Sequence, residues 1–134
     1  MSDTEVVREI YEAMAARDVN RLVTLIDKTC VITQDPALPW GGEYVGHDGF
    51  TTFALELSGA IDSVVSTDAI YAADDEVIQY GRTQGSVRAT GATFDIPEVH
   101  RWTIRGGKAV AAHFAIDTAA MLRALEAGSV DDVG

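Results

Sequence analysis

Apolar residues recur at helical spacing in the first part of the chain. Val7, Ile10 and Tyr11 lie three or four positions apart along one side of a helix, and this spacing predicts a helix whose buried face carries Tyr11. The motif Ser2-x-x-Glu5 precedes them. It is typical of a helix start, because each side chain can bond the backbone amide of the other residue.

Two further helices are predicted before residue 60. Asp18 is placed to cap a short second helix, with Leu22, Leu25 and Ile26 on its buried side. Phe53 belongs to another run of apolar residues at helical spacing, which predicts a third helix from about residue 47 until Gly59. All three helices therefore have one apolar side that must be covered.

The stretch VITQDP, residues 31–36, predicts a short strand that ends at Asp35 and Pro36, since proline lacks the amide donor that a sheet needs. Asp35 is either an ordinary turn residue or a carboxylate held at a strand end to move a proton. The following segment, ALPWGGEYVGHDG, predicts a loop with Trp40 exposed in it. Trp40 would then cover the mouth of a pocket or pack over a helix end.

After Gly59 the pattern changes to long β-prone stretches separated by the short turns AADDE, ATGA and RGGK. These stretches lie near residues 63–72, 76–88, 93–105 and 108–117. Long strands with short connections predict a strongly curved, mostly antiparallel sheet, and Asp117 or Thr118 then caps a short C-terminal helix. Helices first and an antiparallel sheet afterwards indicate an α+β fold with three N-terminal helices over the sheet. A sheet curved in this way forms a cone with a pocket at its open end.

The stretch 93–105 shows a two-residue alternation. Its even positions are the more apolar ones, so they are predicted to face inward and to bring Glu98, His100 and Trp102 toward the pocket. An alternative for His100 is a place at a dimer interface or a structural hydrogen bond. The direction of His113 stays open, because both sides of its strand are apolar enough to be buried.

Tyr11 and Asp35 form the predicted catalytic pair. A buried tyrosine needs a hydrogen-bond partner, and a carboxylate at a pocket wall is suited to act as a general base. Together they supply one proton acceptor and one phenolic donor to an oxyanion, which is the minimum for enolisation next to a carbonyl. Arg82 and Gln84 share a side of their strand with Tyr80 and either line the cone or form a polar subunit interface.

Composition limits the classes of partner. The formal charge is −11, from 21 acidic and 10 basic residues, and without a Lys/Arg run this makes nucleic acid an unexpected partner. No apolar stretch predicts a membrane span, and the polar N-terminus does not resemble a signal peptide, so a cytoplasmic location is expected. Cys30 is the single cysteine, and neither a metal nor a cofactor is expected. Residues 128–134 predict a flexible acidic tail.

Two segments together resemble a known family over nearly the whole chain: VVREIYEAMAARDVNRLVTLIDKTCVITQDP and PEVHRWTIRGGKAVAAHFAIDTAAMLRAL. The chain resembles the SnoaL-like, or ketosteroid-isomerase-like, branch of the nuclear-transport-factor-2-like superfamily. The resemblance implies a single SnoaL-like domain at residues 1–127 with a cone-shaped α+β barrel. It also implies a homodimer formed through the convex face of the sheet, a small apolar ligand and no cofactor.

Ketosteroid isomerases use an aspartate base just before a proline and a tyrosine donor on the first helix, and Asp35 and Tyr11 match both with the same separation. Their second donor is a protonated aspartate on the strand before the Gly-Lys hairpin, where Val99 or His100 falls in this chain. The resemblance therefore implies a role for His100 as a donor, and His113 resembles a histidine common near that position in SnoaL-like chains. The expected catalytic residues are Asp35, Tyr11 and His100, and the expected ligand-binding residues are Trp40, Glu98, Trp102, His113 and Phe53.

Three hypotheses follow for the function. The first is isomerisation or cyclisation by proton transfer next to a carbonyl, with Asp35 as the base. The second is a non-catalytic small-molecule-binding or dimerisation module, in which Asp35 is a turn residue and Tyr11 a core aromatic. The third is epoxide hydrolysis, which requires a water held between polar groups such as Arg82 and Glu98.

Overall fold

A computed structural model describes residues 1–131 of the chain, with side chains described as far as residue 127. The helices are α1 (Asp3–Ala16), α2 (Val19–Leu25), α3 (Gly46–Ala60) and α4 (Thr118–Asp131). The strands are β1 (Ile26–Gln34), β2 (Gly42–Val45), β3 (Ile61–Ala73), β4 (Glu76–Val87), β5 (Thr93–Arg105) and β6 (Lys108–Ile116).

The strands form one six-stranded sheet in the order β2-β1-β6-β5-β4-β3. Neighbouring strands run antiparallel except β1 and β6, which are parallel. The predicted α+β class and mostly antiparallel sheet are confirmed. The sheet does not close on itself, and β2 and β3 are its two edges.

The predicted helix starts are confirmed by their hydrogen bonds. Ser2 and Glu5 form a reciprocal capping box at α1. The Asp18 carboxylate accepts from the backbone amide of Arg21 at 3.1 Å and caps α2. Asp117 does the same at α4, where its carboxylate accepts from the amide of Ala120 at 3.0 Å. These bonds satisfy amide donors that the helices themselves leave free.

The predicted RGGK hairpin is also confirmed. Gly106 and Gly107 join β5 to β6 with φ angles of +57° and +76°, and Arg105 pairs with Lys108 across the turn. A turn with two consecutive positive φ angles matches the twist of the flanking strands, and glycine adopts it without a steric penalty.

Three boundaries differ from the predicted ones. Strand β1 begins at Ile26, because Ile26 leaves the predicted second helix and pairs with Ala109 of β6. The predicted loop after Pro36 contains β2, a four-residue edge strand with glycine at its first position. Helix α4 continues past residue 128 to Asp131, whereas residues 132–134 of the predicted tail lie outside the described part of the chain.

The two faces of the sheet differ sharply in burial. We call the face under α1 and α3 the inner face and the opposite one the outer face. On β5 the even positions are all buried, from Phe94 to Ile104, and the odd positions are exposed or half-buried. The predicted alternation is therefore confirmed, and it places Glu98, His100 and Trp102 at successive positions of the inner face.

Candidate functional site

Four side chains from α1 and β5 form a connected polar group on the inner face. Trp102 Nε1–H donates to Tyr11 Oη at 2.9 Å, and Tyr11 Oη lies 2.6 Å from His100 Nδ1. His100 Nε2 lies 2.5 Å from Glu98 Oε2. We call these four residues the Tyr11 cluster; it joins the first helix to the middle of the sheet.

The positions of the protons follow from the partners of Tyr11. The Trp102 indole can only donate, so it occupies one lone pair of the Tyr11 oxygen. With a neutral His100, Tyr11 donates its own proton to Nδ1, and the remaining ring proton on Nε2 faces the Glu98 carboxylate. Glu98 Oε2 lies off the N–H direction, since this close contact lacks the geometry of an aligned hydrogen bond. In this arrangement the Trp102 and Tyr11 hydrogens are hydrogen-bonded within the cluster, and the Nε2 hydrogen of His100 lies in contact with Glu98.

The cluster is shielded from water. Glu98 is 2 % exposed, His100 7 % and Trp102 0 %. Burial raises the pKa of Tyr11 well above its usual range; the hydrogen bond from Trp102 works in the opposite direction, and the charge of Glu98 adds to the rise. Tyr11 is therefore a neutral phenol at physiological pH and acts as a hydrogen-bond donor.

Aromatic rings form the apolar surroundings of the cluster. The Phe114 ring centroid lies 4.6 Å from that of His100 and 5.4 Å from that of Trp102. Phe53 on α3 follows at 5.5 Å from Phe114. Three of the predicted ligand-binding residues, Glu98, Trp102 and Phe53, are thus brought to the same region as Tyr11 and His100.

Gln79 on β4 is a polar residue of the inner face that the sequence analysis did not single out. It is fully buried, and its amide Nε2 donates to Thr67 Oγ1 at 3.0 Å. Its Oε1 and the Glu98 carboxylate have no hydrogen-bonded partner within the described side chains. The sequence did contain a signal, because Val77, Gln79, Gly81 and Thr83 alternate with the more polar positions of their strand.

Asp35 lies outside this group. It is exposed, and its Oδ1 accepts from the backbone amide of Ala37 at 2.9 Å, which is the geometry of a turn. Among the described residues it makes no hydrogen bond with Tyr11. The inward position at the end of β1 is taken by Gln34, which continues the alternation of Cys30 and Ile32. A role for Asp35 as the base stays a prediction that rests on the family resemblance.

The predicted exposure of Trp40 is wrong. Trp40 is 1 % exposed, and its indole N–H donates to Gln34 Oε1 at 2.9 Å. The backbone between them turns back through bonds from Leu38 N to Asp35 O and from Gly41 N to Leu38 O. The loop therefore folds the indole into the core, where Gln34 satisfies the N–H.

The outer face receives His113 and Arg82. His113 Nδ1 lies 2.7 Å from Thr33 Oγ1, and the histidine lines a surface pocket of about 190 Å³ beside Arg101. Arg82 pairs with Asp95 at 2.5 Å. A second pocket, of about 590 Å³, lies near Lys28 and away from the inner face. No residue of the Tyr11 cluster lines either pocket.

A family model described as "SnoaL-like domain" matches residues 7–112, more than half of the chain. The chain belongs to the SnoaL-like domain family. The match lies within residues 1–127, the range that the sequence predicts as one domain. No match was found among curated proteins.

Solved structures of the same fold agree with the SnoaL-like assignment. An NTF2-like protein from Burkholderia thailandensis E264 is 26% identical, with a TM-score of 0.86 over 93% of this chain and 98% of that one. An NTF2-like protein of unknown function from Burkholderia pseudomallei K96243 is 25% identical, with a TM-score of 0.84 over the same shares. IdmH from Streptomyces antibioticus, described as a candidate polyketide cyclase, is 21% identical with a TM-score of 0.74 over 92% and 99%.

The described residues contain neither a metal-binding group nor a membrane-spanning helix. Within the part of this SnoaL-like chain that the structure describes, no group of three His, Cys, Asp or Glu side chains is arranged to bind a metal ion. Over the same residues, no helix has the length and hydrophobicity that crossing a membrane requires.

Proposed function

We propose that this SnoaL-like protein binds a small apolar carbonyl compound in a cone-shaped pocket on the inner face and moves a proton next to the carbonyl. The supporting observation is the buried connection from Tyr11 through His100 to Glu98, at 2.6 and 2.5 Å. It combines a neutral phenolic donor with an imidazole whose far side faces a carboxylate. Isomerisation and cyclisation both begin with such a proton transfer, and IdmH, which shares the fold, is described as a candidate polyketide cyclase.

The proposed step uses three side chains. Tyr11 turns its O–H from His100 Nδ1 to the carbonyl oxygen of the ligand, which frees the lone pair on Nδ1. The C–H bond next to the carbonyl breaks, its proton forms a bond to Nδ1, and the electron pair moves into an enolate whose oxygen is held by Tyr11. Glu98 stabilises the resulting imidazolium from the Nε2 side, as a carboxylate does for a catalytic histidine. The imidazolium then returns the proton to another carbon, or the enolate carbon attacks a second carbonyl and the imidazolium protonates the alkoxide that this attack forms.

In this proposal His100 is the base and Asp35 is not required. The reason is position: His100 is buried beside the phenol of Tyr11, whereas Asp35 is exposed and bound to the amide of Ala37. Asp35 therefore provides a matched test of the competing assignment, in which the aspartate before the proline removes the proton.

Exchange of ligand protons for deuterium tests the proposal without knowledge of the natural substrate. Small cyclic ketones and a β,γ-unsaturated ketosteroid are incubated in D₂O, and loss of the α-proton signals is followed by NMR. We expect exchange with the wild type, a loss of about 10²–10⁴-fold in His100→Gln, and a rate close to that of the wild type in Asp35→Asn. Loss of exchange in Asp35→Asn with retention in His100→Gln would assign the base to Asp35.

A non-catalytic binding or dimerisation module is the second candidate function. The aromatic rings around the Tyr11 cluster are closely packed, which favours a structural role for Tyr11. On the outer face Tyr71 and Tyr80 are 51 % and 48 % exposed, which favours a homodimer formed through that face. Absence of exchange in the wild type, together with a dimer mass in analytical ultracentrifugation, would favour this candidate.

A further inference from the structure

Three buried oxygen atoms of the inner face, one on Gln79 and two on Glu98, have no hydrogen-bond donor among the described residues. They belong to Gln79, which is fully buried, and to Glu98, which is 2 % exposed. The Gln79 amide uses its nitrogen on Thr67, and Glu98 faces His100 with Oε2 alone. Buried polar atoms are nearly always paired, so an acceptor left over on each of two neighbouring residues indicates a donor that comes from outside the chain.

The register of the sheet places Gln79 and Glu98 on adjacent strands of the inner face. Gly81 pairs with Glu98, and Gln79 is the next inner-face residue along β4. A Cβ at Gly81 would lie 2.9 Å from Gln79 Nε2 and 2.0 Å from the backbone oxygen of Ser66. The Gln79 amide therefore lies over Gly81, the residue that pairs with Glu98 across the two strands.

We propose that Gln79 Oε1 and Glu98 Oε1 form a subsite for a hydroxyl group of the ligand, next to the group that moves the proton. This inference rests on the proposed function for the choice between donors. A ligand ammonium would also donate, but its positive charge beside His100 would oppose the formation of the imidazolium. A hydroxyl donates to either oxygen without adding charge. The substrate class is then a hydroxylated carbonyl compound, in which the hydroxyl and the reacting carbon lie on the same ligand.

The exposed part of the inner face nearest to Gln79 is the β3 edge of the sheet. Thr67 pairs with Gly81 and Val65 with Thr83, so both belong to the side of β3 that continues the inner face. Both are exposed, Val65 at 38 %. The Gln79 amide donates to exposed Thr67, so in this proposal the ligand enters from the β3 edge and displaces that contact.

Equilibrium binding of three matched ketones tests the subsite. The ligands are 1-tetralone, 4-hydroxy-1-tetralone and 4-amino-1-tetralone, which differ in one substituent, and their dissociation constants are measured by titration calorimetry. With the wild type we expect the hydroxylated ketone to bind about 10- to 100-fold more tightly than 1-tetralone, because only its hydroxyl can donate a hydrogen bond to one of the two acceptors without adding charge. In Gln79→Met, which removes the amide and keeps an apolar side chain of similar length, this preference should fall to less than about threefold.

Gln84→Met is the matched control, since Gln84 lies on the same strand but pairs with Asp95 on the outer face. It should retain the preference. Equal affinity of the wild type for 1-tetralone and 4-hydroxy-1-tetralone would overturn the proposal, because the hydroxyl would then form no hydrogen bond with either acceptor. Tightest binding of the amine, or no binding of the hydroxylated ketone at millimolar concentration, would overturn it as well. If Gln79→Met does not fold, the proposal is still tested by comparing the dissociation constants of 1-tetralone and 4-hydroxy-1-tetralone with the wild type. A hydroxyl preference without deuterium exchange would remove the proposed function and keep the subsite.

Discussion

The two faces of the sheet each contain a close contact between a carboxylate and a nitrogen donor, of equal length but in opposite environments. On the inner face His100 Nε2 lies 2.5 Å from Glu98 Oε2, and on the outer face Arg82 Nε lies 2.5 Å from Asp95 Oδ1. The inner side chains are 9 % and 0 % exposed, the outer ones 41 % and 55 %. Distance is therefore not what separates them. Water screens the outer pair and can replace either partner, whereas the inner residues are shielded from water and, in the described part of the chain, have polar contacts only within the Tyr11 cluster.

The largest difference in the free energy of unfolding is expected between substitutions at two neighbouring residues of β5, Trp102 and Arg101. Trp102→Ala removes a fully buried indole and its hydrogen bond to Tyr11, and we expect it to lower the free energy of unfolding by about 3–5 kcal/mol. Arg101→Ala changes an exposed side chain of the outer face and should stay within about 0.5 kcal/mol of the wild type. Urea unfolding of both variants provides the measurement. Similar losses in the two would contradict the division into faces.

A smaller effect is expected from removing one hydroxyl. Tyr11→Phe leaves the Trp102 N–H and His100 Nδ1 without their partner, at a cost of about 1–3 kcal/mol. Tyr80→Phe removes an exposed hydroxyl and should cost less than about 0.5 kcal/mol. Thermal and urea unfolding at neutral pH distinguish the two variants, and a larger loss in Tyr80→Phe would be inconsistent with the Tyr11 cluster.

The same pair of variants makes a prediction about alkaline pH. Because burial raises the pKa of Tyr11 in the folded state, the unfolded chain loses this proton first, and stability falls as the pH rises above about 10. Tyr11→Phe lacks this contribution, so its deficit relative to the wild type should shrink above that pH. Absorbance at 295 nm, which reports ionised tyrosine, provides the check. Tyr11→Phe should lack the ionisation step that the wild type shows at the highest pH.

The smallest effect is expected on the outer face. The Arg82 guanidinium holds the pKa of Asp95 below its usual range, so Arg82→Gln should move the NMR titration of the Asp95 carboxylate toward higher pH. A lowered folded-state pKa adds stability above the ordinary value for aspartate, and that contribution is lost as the pH falls. Any stability deficit of Arg82→Gln should therefore disappear in acid. A deficit that grows below pH 4 would contradict the pairing.

The strand pattern of the second half was predictable because the alternation on β5 is strong. With apolar residues at most even positions, only one assignment buries them, and it fixes the facing of His100. The same rule applied to β1 would have placed Gln34 inward and Asp35 outward. The Asp-Pro sequence and the family resemblance drew attention to Asp35 instead, although Cys30 and Ile32 already indicated its direction.

Contacts between distant segments were beyond what the sequence shows. Nothing in the loop around Trp40 indicates that its indole returns to Gln34, because the turn depends on backbone bonds made only after folding. Similarly, the proposed role of Gln79 depends on its position near Gly81 and Glu98, which follows from the register of β4 and β5. The sequence shows which residue types are present, but which of them contact one another depends on the pairing of the strands.

The parallel pairing of β1 with β6 has a consequence for the order in which the protein can fold. Thr33 and His113, paired across these strands, are 80 residues apart in sequence. During synthesis at roughly 5–20 residues per second, β1 waits about 4–16 s before its partner leaves the ribosome. Until then its apolar inner residues lack β6 and have the neighbouring elements α2, α3 and β2 to cover them. We therefore expect the sheet to be completed late, after synthesis has passed the RGGK hairpin, with β1 inserted between β2 and the finished β3–β6 meander.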